Sequence, residues 1–329
     1  MYSRINAAGD GENLIDDDVE VFEASLDELE REALERSLAR NTNRAYEGDW
    51  KDFTDWCVGR SANPLPADAR TLKHYMLDRS QSLSKATLER RIASISRYHK
   101  EGGHVSPTTD YGFRKVMSGI RKKKIEPQRA KHALLDEDLI DILKEIDGDT
   151  NIGLRDRALL LVGFGAALRR SEIVALDRED IRFTREGVAI NIRQSKTDQE
   201  AKGIEIGIVR GRKPDSCAVT QLELWLAKLN IESGPIFRRI RKNGVILTDR
   251  LSDQAVAAIV KRYVGHAGLS PQDFSGHSLR AGLATSAANA GHSYGNIMAQ
   301  TRHKSEKMVR IYVRKASIFR DNVTASLKL

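Results

Sequence analysis

The chain has 329 residues, 40% of them hydrophobic, which is enough for two domains with buried cores. It holds no run near the roughly 20 apolar residues of a membrane span and no basic-then-apolar leader, so a soluble, cytoplasmic protein without a membrane partner is expected. Its net charge of +8 is unevenly spread: residues 1–35 carry 2 basic and 12 acidic side chains, and residues 36–131 carry 21 and 10.

Residues 1–34 read as an acidic, mobile arm. Residues 35–121 follow as a basic bundle of four helices. Tyr46, Trp50, Phe53 and Cys57 recur at helical spacing behind a capping candidate at Asn41 or Thr42, and Pro64 and Pro66 end that run. Leu72 with Met76, then Leu88, Ile92 and Ile95 behind Ser84, then Phe113, Met117 and Ile120 supply the other apolar faces, with Gly102 and Gly103 as a stop. Residues 122–131, a base-rich stretch with Pro127, suit an extended linker lying against phosphates. A basic surface of this size attracts a polyanion, and counterion release favours nucleic acid over a small acidic ligand. Arg44, Lys85, Arg90, Arg91, Arg121, Lys122 and Lys123 are the candidate contacts here, although a charge run is as often simply solvated. Cys57 and Cys217 are too few for a disulfide framework or a cysteine-rich zinc site and read as packing residues.

From about His132 to residue 315 the pattern becomes a larger, mostly helical domain with one small antiparallel sheet. Val188, Ile190 and Ile192 alternate with polar residues, as do Ile204, Ile206 and Ile208, so two strands frame Lys196 after a turn at Arg185-Glu186-Gly187. Helices are expected at about 216–229, 252–266, 277–290, 294–301 and 305–316, with Gly291 as a stop. Arg241 and Arg262 are further candidate DNA contacts, with base readout placed on the helices near Arg90 and Arg262. Ala316, Phe319, Val323 and Leu327 recur at helical spacing in a tail spanning 316–329.

Four separated segments carry the candidate chemistry, and each alone is weak. Arg169 falls between two helical stretches with Glu172 three residues on, an arrangement that elsewhere is most often a structural ion pair. Lys196 lies at a hairpin tip, where a lone lysine is usually solubilising. Ser275 to Arg280 opens a helix, so His277 and Arg280 meet the unpaired N–H groups of its first turn, a site suited to phosphate. The ordinary alternative is a histidine cap with a surface arginine. His303 precedes Tyr312 by nine residues, and Met308, Ile311 and Tyr312 share a helical face, so by default Tyr312 is a core residue with its hydroxyl at the rim.

Together, Arg169, Lys196, His277, Arg280, His303 and Tyr312 resemble, in order and local context, the tyrosine recombinase or integrase family. The likeness spans about 132–320, the basic bundle before it is similar to the family's core-binding domain, and Phe237 to Gly244 and Ser275 to Arg280 resemble one well-known member. The chain departs from the family pattern at Ala167 and Arg302, where glycines are common, and at Ala281, where histidine is frequent. The resemblance implies a mainly α fold with a small antiparallel sheet and a site-specific recombinase working through a 3′-phosphotyrosyl intermediate, without ATP or metal. It implies Tyr312 as nucleophile and Lys196 as the acid for the leaving 5′ oxygen. Arg169, Arg280 and His303 would hold the phosphate oxygens, His277 would bond the same group or assist the tyrosine proton, and Glu172 would support Arg169. It further implies double-stranded DNA with inverted repeats as partner, a tetramer on two sites, and a tail docking on a neighbour.

Rival chemistries find less support. A two-metal nuclease needs clustered carboxylates, and Asp136-Glu137-Asp138 at a helix start fits capping better. Gly163-Phe164-Gly165 lacks a third glycine and follows a helical rather than a strand pattern, which excludes a dinucleotide loop. A type IB topoisomerase shares the arginine, lysine, histidine and tyrosine set, and a catalytically silent DNA-binding protein is the remaining alternative.

Overall fold

The computed structural model describes residues 40–124, 131–193, 203–316 and 324. The chain divides into two compact units, Met1–Gln128 and Arg129–Leu329. The acidic arm at 1–34, linker residues 125–130, the Lys196 segment and nearly all of the tail lie outside the described residues.

In the first unit the described helices are α1 (Arg40–Val58), α2 (Ala69–Arg79), α3 (Lys85–Glu101) and α4 (Tyr111–Lys123). Asp68, Ser84 and Asp110 cap the last three, each accepting a backbone N–H three residues on. Asn41 and Thr42, read as cap candidates, instead lie inside α1, because a local capping preference of about 1 kcal/mol yields where the helix continues before it. Phe53, Leu72, Tyr75, Met76, Leu88, Ile95, Phe113 and Met117 interlock as one core. His99 is fully buried and ties the loop before α2 to α3: its Nε2 accepts the Ala67 N–H at 2.9 Å, so Nδ1 donates to the Ile95 carbonyl at 2.8 Å.

Acidic residues one turn apart on α1 hold several of the unit's bases. Asp49, 3% exposed, takes two bonds from Arg90. Asp52 accepts from the Tyr75 hydroxyl, from Arg79 and from Arg91. Burial alone would raise the Asp52 pKa, but those three donors hold it below the usual value. Arg121 is paired with Glu89 through two bonds, at 2.6 and 3.0 Å.

The second unit is built around α6 (Asn151–Gly165), whose residues Ala158 to Val162 are buried on all sides. Around it stand α5 (Asp136–Lys144), the short α7 (Arg170–Ala175), α8 (Ala218–Leu229) and α9 (Asp253–His266). A meander of β1 (Ile181–Phe183), β2 (Gly187–Ile192) and β3 (Ile204–Val209) pairs antiparallel, with Ile190 opposite Ile181 on one side and Ile206 on the other. The alternating strands are thus β2 and β3, and the expected turn at Arg185 to Gly187 joins β2 to a strand that its three residues leave too short to show a period. A second hairpin, β4 (Arg238–Ile240) with β5 (Ile246–Arg250), also went unread, because its largely charged, exposed residues give no apolar alternation.

Three helices complete the unit: α10 (Ser278–Asn289), α11 (Tyr294–Thr301) and α12 (Glu306–Ala316). Ala284, Ile297 and Val309, one from each, form a small core of their own. The segment entering α5 lies against α10, with Leu134 N–H donating to the Ser278 carbonyl at 3.0 Å. Gly282 permits that approach, since a β-carbon there would sit 1.8 Å from the Leu134 oxygen. Among the described residues no helix is long and apolar enough to cross a membrane.

Candidate active site

The site begins at the sharp turn between α6 and α7. Ala166 ends α6, Ala167 takes a left-handed conformation with φ 47°, and Arg169 becomes the cap of α7 with extended backbone. Glu172 fixes that cap: its Oε2 accepts the Arg169 N–H at 2.9 Å and its Oε1 pairs with the Arg169 guanidinium. Glu172 is 4% exposed, whereas the Arg169 side chain keeps 23% of its surface open. The ion pair is therefore real, and it leaves part of the guanidinium open at the surface.

Arg280 comes from the first turn of α10. It is 1% exposed, which rules out the surface arginine that the sequence left open. Its NH1 donates to the Ala167 carbonyl at 2.7 Å, and among the described residues its NH2 has no hydrogen-bond partner. A buried guanidinium nitrogen still carries N–H groups to donate, and an oxyanion can accept them. His277 caps the same helix at its exposed end, held by the Ser275 hydroxyl, which accepts the His277 N–H at 3.3 Å.

Tyr312 reaches the site from α12. Its hydroxyl lies 3.2 Å from His277 Nε2. On that helix Val309 is buried, Tyr312 and Val313 pack partly against the small core, and Met308 and Ile311 are exposed. The shared apolar face read for Met308, Ile311 and Tyr312 is thus displaced by one residue, and the tyrosine hydroxyl meets a polar partner. His303 follows α11, with its ring centroid 5.8 Å from that of Tyr312. The Thr301 hydroxyl donates to the Ile297 carbonyl at 2.6 Å, so it can only accept from His303 Nδ1 at 2.7 Å. That bond fixes the neutral ring with its proton on Nδ1 and leaves Nε2 unprotonated.

The electrostatics follow from crowding positive charge into a partly dry cleft. Desolvation first, and then the charges of Arg280 and Arg169, lower the His277 pKa. The same causes, with His277 and Arg302 added, bring His303 down to about 4. Both imidazoles are therefore neutral at pH 7. Burial also brings Arg280 down to about 10, aided by the charges of Arg169 and Arg302. Burial raises the Tyr312 pKa, with Arg280 opposing, so Tyr312 waits as a neutral phenol and needs a proton acceptor.

The structure thus gathers Arg169, Glu172, His277, Arg280, His303 and Tyr312, while Lys196 lies outside the described residues. Among the candidate DNA contacts, Arg44, Lys85, Lys122, Lys123 and Arg241 are exposed. Arg90, Arg91 and Arg121 are tied to carboxylates, and the Arg91 side chain is only 12% exposed. Arg262 is half exposed, 3.8 Å from buried Asp156. Sequence reasoning missed Thr301 and Arg302 as parts of the site. Their signal was present in the departure at residue 302, where a charged side chain stands in place of a common glycine. Among the described residues no group of three His, Cys, Asp or Glu side chains is placed to hold a metal ion.

With this geometry in place, the comparisons give it a family. The sequence profile of the phage integrase family matches residues 132–317. An integrase/recombinase XerD homologue of Selenomonas ruminantium is 44% identical over 292 residues, covering 88% of this chain and 86% of that protein. The Cre recombinase of Escherichia phage P1 is 28% identical over 320 residues, covering 89% and 90%. The fold is similar to that of a lambda integrase dimer bound to a core site, with TM-score 0.58 and 17% identity over 92% of this chain and 98% of that one. The chain therefore belongs to the phage integrase family and is a tyrosine site-specific recombinase, an enzyme that transfers DNA strands.

Proposed function

We propose that the enzyme cuts one DNA strand by in-line attack of the Tyr312 oxygen on the scissile phosphate, forming a 3′-phosphotyrosyl bond as the bond from phosphorus to the 5′ oxygen breaks. The observation that carries this reading is the Tyr312 hydroxyl at 3.2 Å from a neutral His277, beside a buried arginine whose NH2 has no hydrogen-bond partner among the described residues. His277 takes the phenol proton, Arg169 and Arg280 hold the non-bridging oxygens, and Lys196 protonates the leaving 5′ oxygen. Neutral His303, protonated on Nδ1, offers no Nε2 donor; the charge of a bound phosphate raises its pKa and restores one. The phosphotyrosyl bond conserves the energy of the phosphodiester, so religation by a 5′ hydroxyl needs neither ATP nor metal. Trapping the adduct on a nicked substrate, whose cleaved fragment diffuses away, tests this directly. Relaxation of plasmids lacking a cognate site would instead favour a topoisomerase-like activity.

Residues 35–121 serve as the core-binding domain, 122–131 as the linker and 132–315 as the catalytic domain, and the enzyme acts on double-stranded DNA with inverted repeats inside a bacterial or phage-infected cell. Exposed Arg44, Lys85, Lys122, Lys123 and Arg241 make phosphate contacts, and Arg90, Arg91 and Arg121 first have to leave or share their carboxylates. Replacing Lys122 and Lys123 with alanine is expected to flatten the plot of log affinity against log salt by about 0.9 for each lysine that touches phosphate. It should weaken cognate and random DNA alike. A loss confined to cognate DNA would make these lysines base readers.

Four subunits assemble on two sites, each passing its 316–329 tail to a neighbour. A cavity of about 380 Å³ beside α10 and α11, lined by Leu283, Ala284, Ala287, Ile297, Gln300 and Thr301, offers an acceptor for Phe319 and Val323. Burying those two side chains contributes roughly 1.5–3 kcal/mol each before ordering costs, enough to favour assembly on DNA over free solution. A chain truncated after Lys315 should fill one half-site normally and lose cooperative filling of the second. Full cooperativity in the truncated chain would place the contacts between subunits elsewhere.

A further inference from the structure

We infer that Arg302 is a positioning residue for strand cleavage, clamping the turn that presents Arg169 to the buried end of Arg280. It stands immediately before His303 in a left-handed conformation with φ 56°, where a side chain is unfavourable and glycine is at ease. The residue is nevertheless an arginine, folded inward and 8% exposed.

Its bonds explain why. Arg302 NH1 donates to the Ala166 carbonyl at 3.2 Å, and NH2 donates to the Ala167 carbonyl at 3.0 Å and to Glu172 Oε2 at 2.8 Å. These acceptors belong to the α6–α7 turn and to the carboxylate that braces Arg169. The Ala167 oxygen also receives Arg280 NH1, and Glu172 Oε2 also receives the Arg169 N–H. The guanidinium therefore ties the loop carrying His303 to the turn carrying Arg169, and it shares the Ala167 carbonyl with Arg280 from the neighbouring helix.

The backbone gives a second, independent observation. Ala167 is itself left-handed, with φ 47°. Two residues with side chains hold glycine-like conformations at one contact, and the bond from Arg302 to the Ala167 carbonyl links them. Without that side chain, the Ala167 peptide would keep only Arg280 as its donor. Among the described residues Glu172 would keep Arg169 alone, and the turn that presents Arg169 and accepts Arg280 would gain freedom to move relative to the scissile phosphate.

This inference rests on the reading of Arg169 and Arg280 as phosphate ligands, so its test carries a control for that reading. The rate constant for cleavage of a nicked half-site substrate at saturating enzyme is measured beside half-site affinity for Arg302→Gly, Arg302→Lys and Arg280→Ala. Arg302→Gly is expected to lower the rate constant by about 10²-fold, the scale of a misplacement near 1 Å, with affinity unchanged. Arg302→Lys, which keeps the charge but not the fork, should recover part of the rate, and methylguanidinium added to the glycine variant should recover part as well. Wild-type cleavage by Arg302→Gly would overturn the inference, as would a loss that follows thermal stability and is rescued by neither lysine nor methylguanidinium. Should the glycine variant not fold, the lysine variant decides: reduced cleavage at unchanged affinity supports the clamp, and a wild-type rate overturns it. If Arg280→Ala also cleaves at the wild-type rate, the phosphate-site reading itself fails.

Discussion

Tyr312→Phe is expected to abolish the covalent protein–DNA adduct, lowering cleavage by a factor on the order of 10⁴ or more, while half-site affinity stays unchanged. Phenylalanine keeps the ring that packs against the small core of Ala284, Ile297 and Val309 and removes only the hydroxyl beside His277. Adduct formation by this variant at an undiminished rate would exclude Tyr312 as the nucleophile. The measurement is gel separation of the adduct after incubation with a labelled, nicked substrate, with binding followed in parallel.

Lys196→Ala should slow cleavage by roughly 10²–10⁴, the range for loss of a general acid. A substrate with sulfur in the 5′-bridging position separates this role from simple charge loss, because a thiolate leaves without a proton. The variant should regain most of its rate on that substrate, whereas a residue that only attracts phosphate would show the same deficit on both. Equal deficits would assign the acid to another group. Binding alone cannot distinguish these cases, so the comparison uses saturating enzyme.

The candidate site was legible in the sequence to the extent that each residue's local context fixes its place. Arg169 could be placed because Glu172 lies one helical turn away, and Arg280 because it follows a helix start. Sequence order brought the six groups together as a pattern, but the depth of Arg280 and the distance between His277 and Tyr312 depend on helices far apart in the chain. Alternation revealed β2 and β3, whereas β4 and β5 are too short and too charged to show a period. Arg302 was visible only as a departure from a family habit. Its contacts with Ala166, Ala167 and Glu172 span more than 125 residues of chain, and no local pattern reports such a contact. The pairing of Arg90 and Arg91 with carboxylates was hidden for a similar reason: Asp49 and Asp52 sit about 40 residues earlier and meet them only in the folded bundle.

The three guanidiniums gathered around Glu172 have a consequence for how such a protein evolves. Arg169, Arg280 and Arg302 are held close enough to act on one another's charge, and among the described residues the buried carboxylate that opposes them is Glu172. Like charges confined out of water weaken the folded state, and since Arg169 and Arg302 are bonded to Glu172 while Arg280 is bonded to a carbonyl, a neutral side chain at 280 is the substitution expected to toughen this domain. Selection for heat resistance and selection for recombination therefore pull in opposite directions at Arg280. Lineages that need a sturdier protein are driven to find it elsewhere, in the cores around Trp225 and Phe53, where packing can improve without touching the reaction.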